Sequence, residues 1–316
     1  MRIAICIGTF RRPQLLQRLL AALSELRFRK VDRPTIEVIV VDNDVARTAL
    51  EICEGASLPW TVRYLCEPQR GIARVRNRAI REAGDFDFLA FIDDDEIPDP
   101  CWLDELLATQ ARFSADVVSG PVLPIFADGA PEWIRAGGFF ARPLFATGDL
   151  IERCSTNNVL IRKNVFASVA GFDERFNLTG GEDTHFFLHV RRAGHSMVWS
   201  GEAAVRESVP RERTNTAWIL RRGYQSGNSW VLCELALYNE TRVWWMRFAK
   251  SLAHMVKGTA AFLLSLPSGK AATVRSLRRI CLGAGMLAAL LGHRFLPYQD
   301  SDSDPVGNAA KVGTQG

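Results

Sequence analysis

The apolar positions of this chain follow two spacings in alternation. Short, mostly apolar runs read as strands at Ile3 to Ile7, Ile36 to Val41 (interrupted by Glu37), Val62 to Cys66 (interrupted by Arg63) and Phe88 to Ile92, because a strand covered on both faces shows little polar alternation. Between them the spacing becomes helical. From about Pro13 to Leu23, Leu15, Leu16, Leu19, Leu20 and Leu23 share one face, and Pro13 suits a first helical turn. A basic helix is predicted from about Ile72 to Glu82, stopping at Gly84, and another near Cys101 to Arg112, opened by Asp99-Pro100. Strand and helix in alternation predict a doubly wound, mostly parallel α/β sheet with its chemistry along one edge.

The fourth of these strands ends in FIDDDE, Phe91 to Glu96. A packed strand body has no room for Asp93, Asp94, Asp95 and Glu96, so these acids belong at its C-terminal tip, where open α/β sheets place their ligands. Crowded carboxylates repel, and a divalent cation relieves that repulsion through hard oxygen ligands. Mg²⁺ bound by one or two carboxylates completes its shell with substrate oxygens, so a phosphate substrate follows. The alternative is a solvated acidic turn before a helix.

Three further positions fall where the first half of such a sheet would hold a nucleotide. Thr9 follows the first strand, Asp42 ends the second, and Arg76-Asn77 lie on the helix after the third. An Asp at a strand tip can accept a base N–H or a ribose hydroxyl, and an Arg can bridge phosphates or stack on a base. Alternatively Asp42 caps a turn, and Arg76 belongs to a solvated basic face with Arg70, Arg74, Arg78 and Arg81.

From about Gly120 the pattern loosens, and Trp133, Phe139 and Phe140 follow no periodicity. Asn158 to Arg162 reads as a strand, and Gly180-Gly181 leads into a helix from about Glu182 to Arg192. Two glycines allow close backbone approach to a ligand. Glu182 and Asp183 either act on that ligand or cap the helix, where the dipole favours acids. His185 and His189 stand at i, i+4, but two histidines without a third ligand nearby make a weak zinc site, and helix packing or acceptor contact is the favoured reading.

Composition adds two points. Seven cysteines are scattered singly without a CxxC pair, which argues for reduced thiols and the cytoplasm. The net charge of +4 conceals an asymmetry, because Thr241 to Gln299 holds nine Lys or Arg and no Asp or Glu. Arg247, Lys250, His254 and Lys257 recur at helical spacing as one polar stripe, with Trp244, Trp245, Phe248, Leu252, Met255 and Phe262 on the rest of that helix. The second apolar run, Ile280 to Gly292, is too short to span a bilayer and suits an interfacial or re-entrant helix. An anionic membrane surface is therefore an expected partner, and nucleic acid is not; a helical cover over the first domain is the alternative. The N-terminus passes straight into a strand with no secretory signal expected. The expected divisions are residues 1–230, a basic helical segment at 231–297 and a flexible tail at 298–316.

The motifs TFRRP (Thr9 to Pro13), VVDND (Val40 to Asp44), GIARVRN (Gly71 to Asn77), FIDDDE and GGEDTHFF (Gly180 to Phe187) resemble, as an ordered set, family 2 glycosyltransferases. The likeness is greatest to succinoglycan-biosynthesis glucosyltransferases of exopolysaccharide pathways and extends through GFDERF (Gly171 to Phe176) and the stretch after Ser208, to about residue 230. It implies a GT-A-type fold with a C-terminal helical appendage, binding a UDP-sugar with Mg²⁺ or Mn²⁺. It implies that Thr9 and Asp42 hold the uridine, that Arg12, Arg76 and Asn77 approach the donor, that Asp93 and Asp94 face the sugar or ribose, and that Asp95 ligates the metal. Asp183 would be the general base of an inverting transfer, with Glu182 orienting it or the acceptor. A lipid-linked or growing oligosaccharide would be the acceptor, met at the inner face of the plasma membrane.

One departure concerns the metal. Many relatives carry a metal-binding His about two dozen residues after the base, where Arg206 stands here, followed by Glu207. Arginine cannot bind a cation but can pair with a diphosphate. It also motivates an alternative, a catalytically impaired scaffold of an assembly complex. A nucleotidyltransferase would need a Gly- and Lys-rich phosphate loop that GTFRRP lacks, and a dehydrogenase would need GxGxxG after the first strand.

Overall fold

In the computed structural model, which describes residues 1–238 and 240–297, the chain opens as β1 (Arg2–Thr9), α1 (Pro13–Ser24), β2 (Thr35–Asp42), α2 (Leu50–Glu54), β3 (Thr61–Cys66), α3 (Ile72–Glu82) and β4 (Phe88–Ile92). It continues through β5 (Glu96–Pro98), α4 (Trp102–Phe113), β6 (Val117–Ser119), β7 (Val122–Phe126), α5 (Glu132–Gly137), β8 (Asn158–Arg162), α6 (Val165–Ser168) and α7 (Glu182–Arg192). The last elements are β9 (Met197–Trp199), β10 (Val205–Val209), α8 (Thr216–Tyr238), α9 (Thr241–Ser265) and α10 (Lys270–Leu290). The tail expected to be flexible, 298–316, lies outside the described residues.

The predicted strands form the centre of a seven-stranded sheet ordered β3-β2-β1-β4-β8-β6-β9. β1, β2, β3 and β4 pair in parallel, while β8 runs antiparallel to both β4 and β6. Alternation along β1 explains why its run is apolar throughout. Ile3, Ile5 and Ile7 pack with Leu16 and Leu19 of α1 and with Trp102 and Leu106 of α4. Ala4 and Cys6 point the other way, toward Val75 and Ala79 of α3 and Phe186 and Val190 of α7. Helices on both faces make this the doubly wound architecture. Its antiparallel strand is pinned by Asn158, which accepts the Trp102 indole N–H at 2.7 Å and donates to the carbonyls of Pro121 and Ala203 at 3.0 and 2.7 Å.

A second sheet, β5-β10-β7, stands beside the acidic tip. The loosened segment after Gly120 joins the first domain to the helices: Ile134, Phe139, Ile219 and Val274 form one cluster, and Phe140 stacks on Trp218 with 5.4 Å between centroids.

The C-terminal helices correct one expectation. The apolar run at Ile280 to Gly292 is mostly covered by protein, with Leu291 exposed at its end; α10 lies between α8 and α9, and Val231 of α8 packs on Met286, Ala289 and Leu290. The expected division at residue 230 falls within α8. Small residues permit the close packing. A Cβ on Gly285 would sit 2.0 Å from the Tyr224 carbonyl, and one on Gly227 would sit 2.1 Å from that of Leu282. Gly285→Ala therefore forces backbone apart and is expected to cost about 1–3 kcal/mol, as overpacking does. Gly84→Ala, whose nearest contact is 4.0 Å away, should be near neutral. Urea denaturation of both variants checks this, and equal midpoints would contradict the packing.

Candidate active site

The strand order reverses between β1 and β4, so a crevice opens at the carboxyl ends of these two strands. Thr9 ends β1, and Asp93, Asp94 and Asp95 leave β4 at the same edge. Thr9 Oγ1 donates to Asp94 Oδ2 at 2.8 Å, tying the two tips together. Arg12 reaches the same acids, with Nη1 3.4 Å from Asp94 Oδ1 and 3.7 Å from Asp95 Oδ2.

Burial dominates the electrostatics. It pushes the Asp94 pKa up to about 7, against the pull of Arg12 and the Thr9 hydroxyl. Burial also raises Asp95, with Glu207 adding repulsion and Arg12 and Arg213 opposing it. Glu96 is enclosed: Oε2 accepts the Asp93 N–H at 3.0 Å, Oε1 has no partner, and burial holds its pKa well above the carboxylate range. Glu96 therefore fixes the turn as a group that resists ionisation.

The second acidic pair arrives from α7. The buried Arg76 guanidinium pairs with Glu182 through Nη1 and lies 3.6 Å from Asp93 Oδ1 through Nη2. One side chain from α3 thus spans the β4 tip and the start of α7. Glu182 Oε2 is buried without a partner, and burial raises this acid while Arg76 opposes the rise. Asp183 is partly exposed; its Oδ1 accepts the Thr184 backbone N–H at 2.6 Å. Its charge is felt by Arg76, Asp93, Cys154 and Cys233, which places it in the same crevice.

Gly180 and Gly181 take φ of +68° and +96°, where a side chain is strained. The close approach they allow is to the protein itself, because a Cβ on Gly181 would lie 3.0 Å from Cys233 Sγ and 3.2 Å from Ser229 Cβ on α8. His185 packs on Phe176 and His189, at 4.9 and 4.7 Å between centroids, and burial lowers its pKa to about 4.

Three candidate residues are engaged elsewhere. Asp42 is fully buried: Oδ1 accepts the Asp44 N–H at 3.0 Å, and Oδ2 accepts the Ala49 N–H at 3.0 Å and the Tyr64 hydroxyl at 3.1 Å. The carboxylate expected to meet a base thus organises the β2 turn. Asn77 binds both backbone groups of Phe172, at 2.8 Å each, and so holds the GFDERF loop on α3. Arg206 pairs with Asp99, away from the tip. The register explains this: β10 runs against β5 with Glu207 opposite Glu96 and Arg206 opposite Ile97, and successive side chains face opposite ways. Glu207 is the residue turned toward Asp95.

With Glu207 come two cations the sequence did not single out. Arg142 Nη2 lies 3.1 Å from Glu207 Oε2, Arg213 Nη1 lies 3.4 Å from Glu207 Oε1, and Arg213 Nη2 lies 3.8 Å from Asp95 Oδ2. Among the described residues no three His, Cys, Asp or Glu side chains converge to hold a metal. A hard cation that keeps its waters and binds phosphate needs only one or two carboxylates. Asp95, which is opposed by Glu207 and itself opposes ionisation of Asp93, fits that open mode together with Asp93.

Comparison with known proteins accords with this geometry. The sequence pattern described as glycosyl transferase family 2 matches residues 4–169, and that of glycosyl transferase family group 2 matches residues 88–292. The chain is 35% identical over 303 residues to the succinoglycan biosynthesis protein ExoM of Rhizobium meliloti (strain 1021), covering 92% of this chain and 94% of that protein. It is 24% identical over 206 residues to the glucosyl-dolichyl phosphate glucuronosyltransferase of Haloferax volcanii, covering 61% of this chain and 65% of the other. Among solved structures, S. aureus TarS 1-349 in complex with UDP-GlcNAc superposes with a TM-score of 0.54 at 13% identity, over 93% of each chain. A second TarS structure gives a TM-score of 0.56 at 14% identity over 91% of this chain, which spans 55% of that one. The structural likeness carries the GT-A-type fold, and the sequence matches, the first of which alone spans more than half the residues, show that the chain belongs to glycosyl transferase family 2.

Proposed function

We propose that the protein transfers a hexose, with glucose favoured, from a UDP-sugar to a lipid-linked or growing surface-polysaccharide acceptor, with inversion at the anomeric carbon. The observation that carries this reading is the Arg76 bridge, which brings a phosphate-facing acidic tip and a base-bearing helix start into one crevice. Supporting it, ExoM is named for succinoglycan biosynthesis and a TarS fold neighbour holds UDP-GlcNAc.

In this mechanism Asp183 takes the acceptor hydroxyl proton as the new O–C bond forms and the bond from carbon to the diphosphate oxygen breaks, leaving its electron pair on UDP. One base and no protein nucleophile give a single displacement, unlike the two-carboxylate retaining scheme. Glu182, clamped by Arg76, holds the helix start in place. Asp95, with Asp93, would hold Mg²⁺ or Mn²⁺, which supplies charge stabilisation to the leaving diphosphate. Arg12, Arg142 and Arg213 add positive charge at the same edge, and the latter two can exchange Glu207 for phosphate oxygens. Acting on a lipid-linked acceptor, the enzyme works peripherally at the inner face of the plasma membrane. A donor screen against a lipid-linked acceptor, with UDP release and product linkage measured, tests the reading. No UDP release with any donor and acceptor would overturn transfer from a UDP-sugar and favour the scaffold alternative, with a nucleotidyltransferase behind it.

A further inference from the structure

The amphipathicity of α9 is inverted. Its inward face carries Val243, Arg247, Ser251 and Gly258, all buried. Arg247, expected on an outer polar stripe, instead forms a buried pair with Glu234 of α8. Ser251 Oγ donates to the Gly283 carbonyl at 2.7 Å, and a Cβ on Gly258 would sit 3.0 Å from the Ile280 nitrogen. Small and paired polar residues, with Trp244 and Phe248, thus serve the helix contact, and other large apolar residues are left outside.

Those outer residues form one stripe. Trp245 is 61% exposed, Leu252 54%, Val256 60%, Leu263 64% and Leu264 78%. Positions 245, 252, 256 and 263 recur at steps of seven and four, which is one face of a helix, and the exposed Ala249 and Ala260 fill its gaps. The stripe runs for about 28 Å at 1.5 Å per residue. Exposed Lys250 and Lys257 stand along one flank, where long stems can lie on apolar surface and keep their ammonium heads in a polar layer. A continuous exposed apolar face of this kind marks an interaction surface.

We propose that the outer face of α9 is the membrane-docking surface of this enzyme, lying in the plane of an anionic lipid leaflet with Trp245, Leu252, Val256 and Leu263 inserted. Charge selects the occupant. With Arg247 paired inward, the exposed charges of α9 are Arg242, Lys250 and Lys257, with no acidic residue on the helix, so a second copy meeting this face would bring like charges together, whereas anionic headgroups complement them. Insertion is shallow, because no helix of the described residues is long and apolar enough to cross a membrane. This inference rests on the peripheral placement proposed above and names the element responsible for it.

Flotation of the full chain with vesicles of phosphatidylcholine alone, and of phosphatidylcholine mixed with phosphatidylglycerol, tests it across a salt series. The full chain should float with the anionic vesicles, weakening with salt while keeping a salt-resistant component. The variant L252Q/V256Q/L263Q, checked for fold by circular dichroism, should bind roughly tenfold more weakly or worse. Vesicles with brominated acyl chains should quench tryptophan fluorescence in the full chain, and Trp245→Phe, a mild change at an exposed site, should remove that quenching. Equal flotation of the triple variant, or unchanged quenching in Trp245→Phe, would overturn this face while leaving peripheral attachment standing. No flotation of the full chain would overturn both. A dimer in light scattering that the triple variant cannot form, without vesicle binding, would assign the face to a second copy instead.

Discussion

Asp183→Asn is expected to lower turnover by roughly 10² or more, the usual contribution of a positioned general base. The substitution isolates chemistry from structure. Asp183 Oδ1 accepts the Thr184 N–H and, at 3.3 Å, the Thr184 hydroxyl, and an Asn side-chain oxygen accepts both. The lost charge at the start of α7 weakens a favourable dipole interaction by only about 0.3–1 kcal/mol. Glu182 is poorly placed to take over, since one of its oxygens is held by Arg76 and the other is buried. UDP-sugar affinity by calorimetry should stay near wild type while single-turnover rates fall. Wild-type turnover in the folded variant would mean that another group accepts the proton.

The parts of this site that were legible in sequence are those carried by long, regular elements. β1 and β4 announce themselves as unbroken apolar runs, and β2 as one broken only near its start by Glu37, because both faces of the sheet are covered, so their tips, and hence Thr9 and the Asp93 to Asp95 run, could be placed at one edge. The acidic start of α7 was legible for the same reason. What lay beyond reach was the partner of each polar side chain. Asp42 and Asn77 sit where a nucleotide-binding reading wants them, yet nearby backbone groups occupy their oxygens and amide. The β5-β10-β7 sheet was invisible because VRESV, Val205 to Val209, puts its apolar residues four apart with polar ones between, a pattern a helix turn shares. That one short register decides whether Arg206 or Glu207 faces the acidic tip, since a slip of one residue exchanges the faces of a strand. Arg247 shows the same limit on a helix. Its period marks a polar stripe with Lys250 and Lys257, but Glu234, its partner on α8, turns Arg247 inward while the two lysines stay exposed. The family resemblance supplied roles for residues; it did not supply these pairings.

Asp95→Ala should abolish the cation-dependent part of UDP-sugar binding and leave the fold intact. Burial and the neighbouring Glu207 both raise the Asp95 pKa, so the native state gains little from this carboxylate and removing it should cost little stability. A bound cation reverses that balance, since it is the one ligand that favours the ionised acid here. Losing a direct ligand should weaken cation affinity by at least the roughly 10- to 100-fold typical of changes in the surrounding shell. The neighbours sharpen the expectation. Arg12 and Arg213 lie 3.7 and 3.8 Å from Asp95 Oδ2, and without that anion their charge is more available to a diphosphate. UDP affinity measured in chelator should therefore be retained or rise in the variant, while the increment produced by Mn²⁺ or Mg²⁺ disappears. Calorimetry of both proteins with and without cation separates the two contributions. A folded variant that keeps the full Mn²⁺-dependent increment would remove Asp95 from the metal site. A wild-type protein with no increment at all would show that the arginines alone bind the diphosphate.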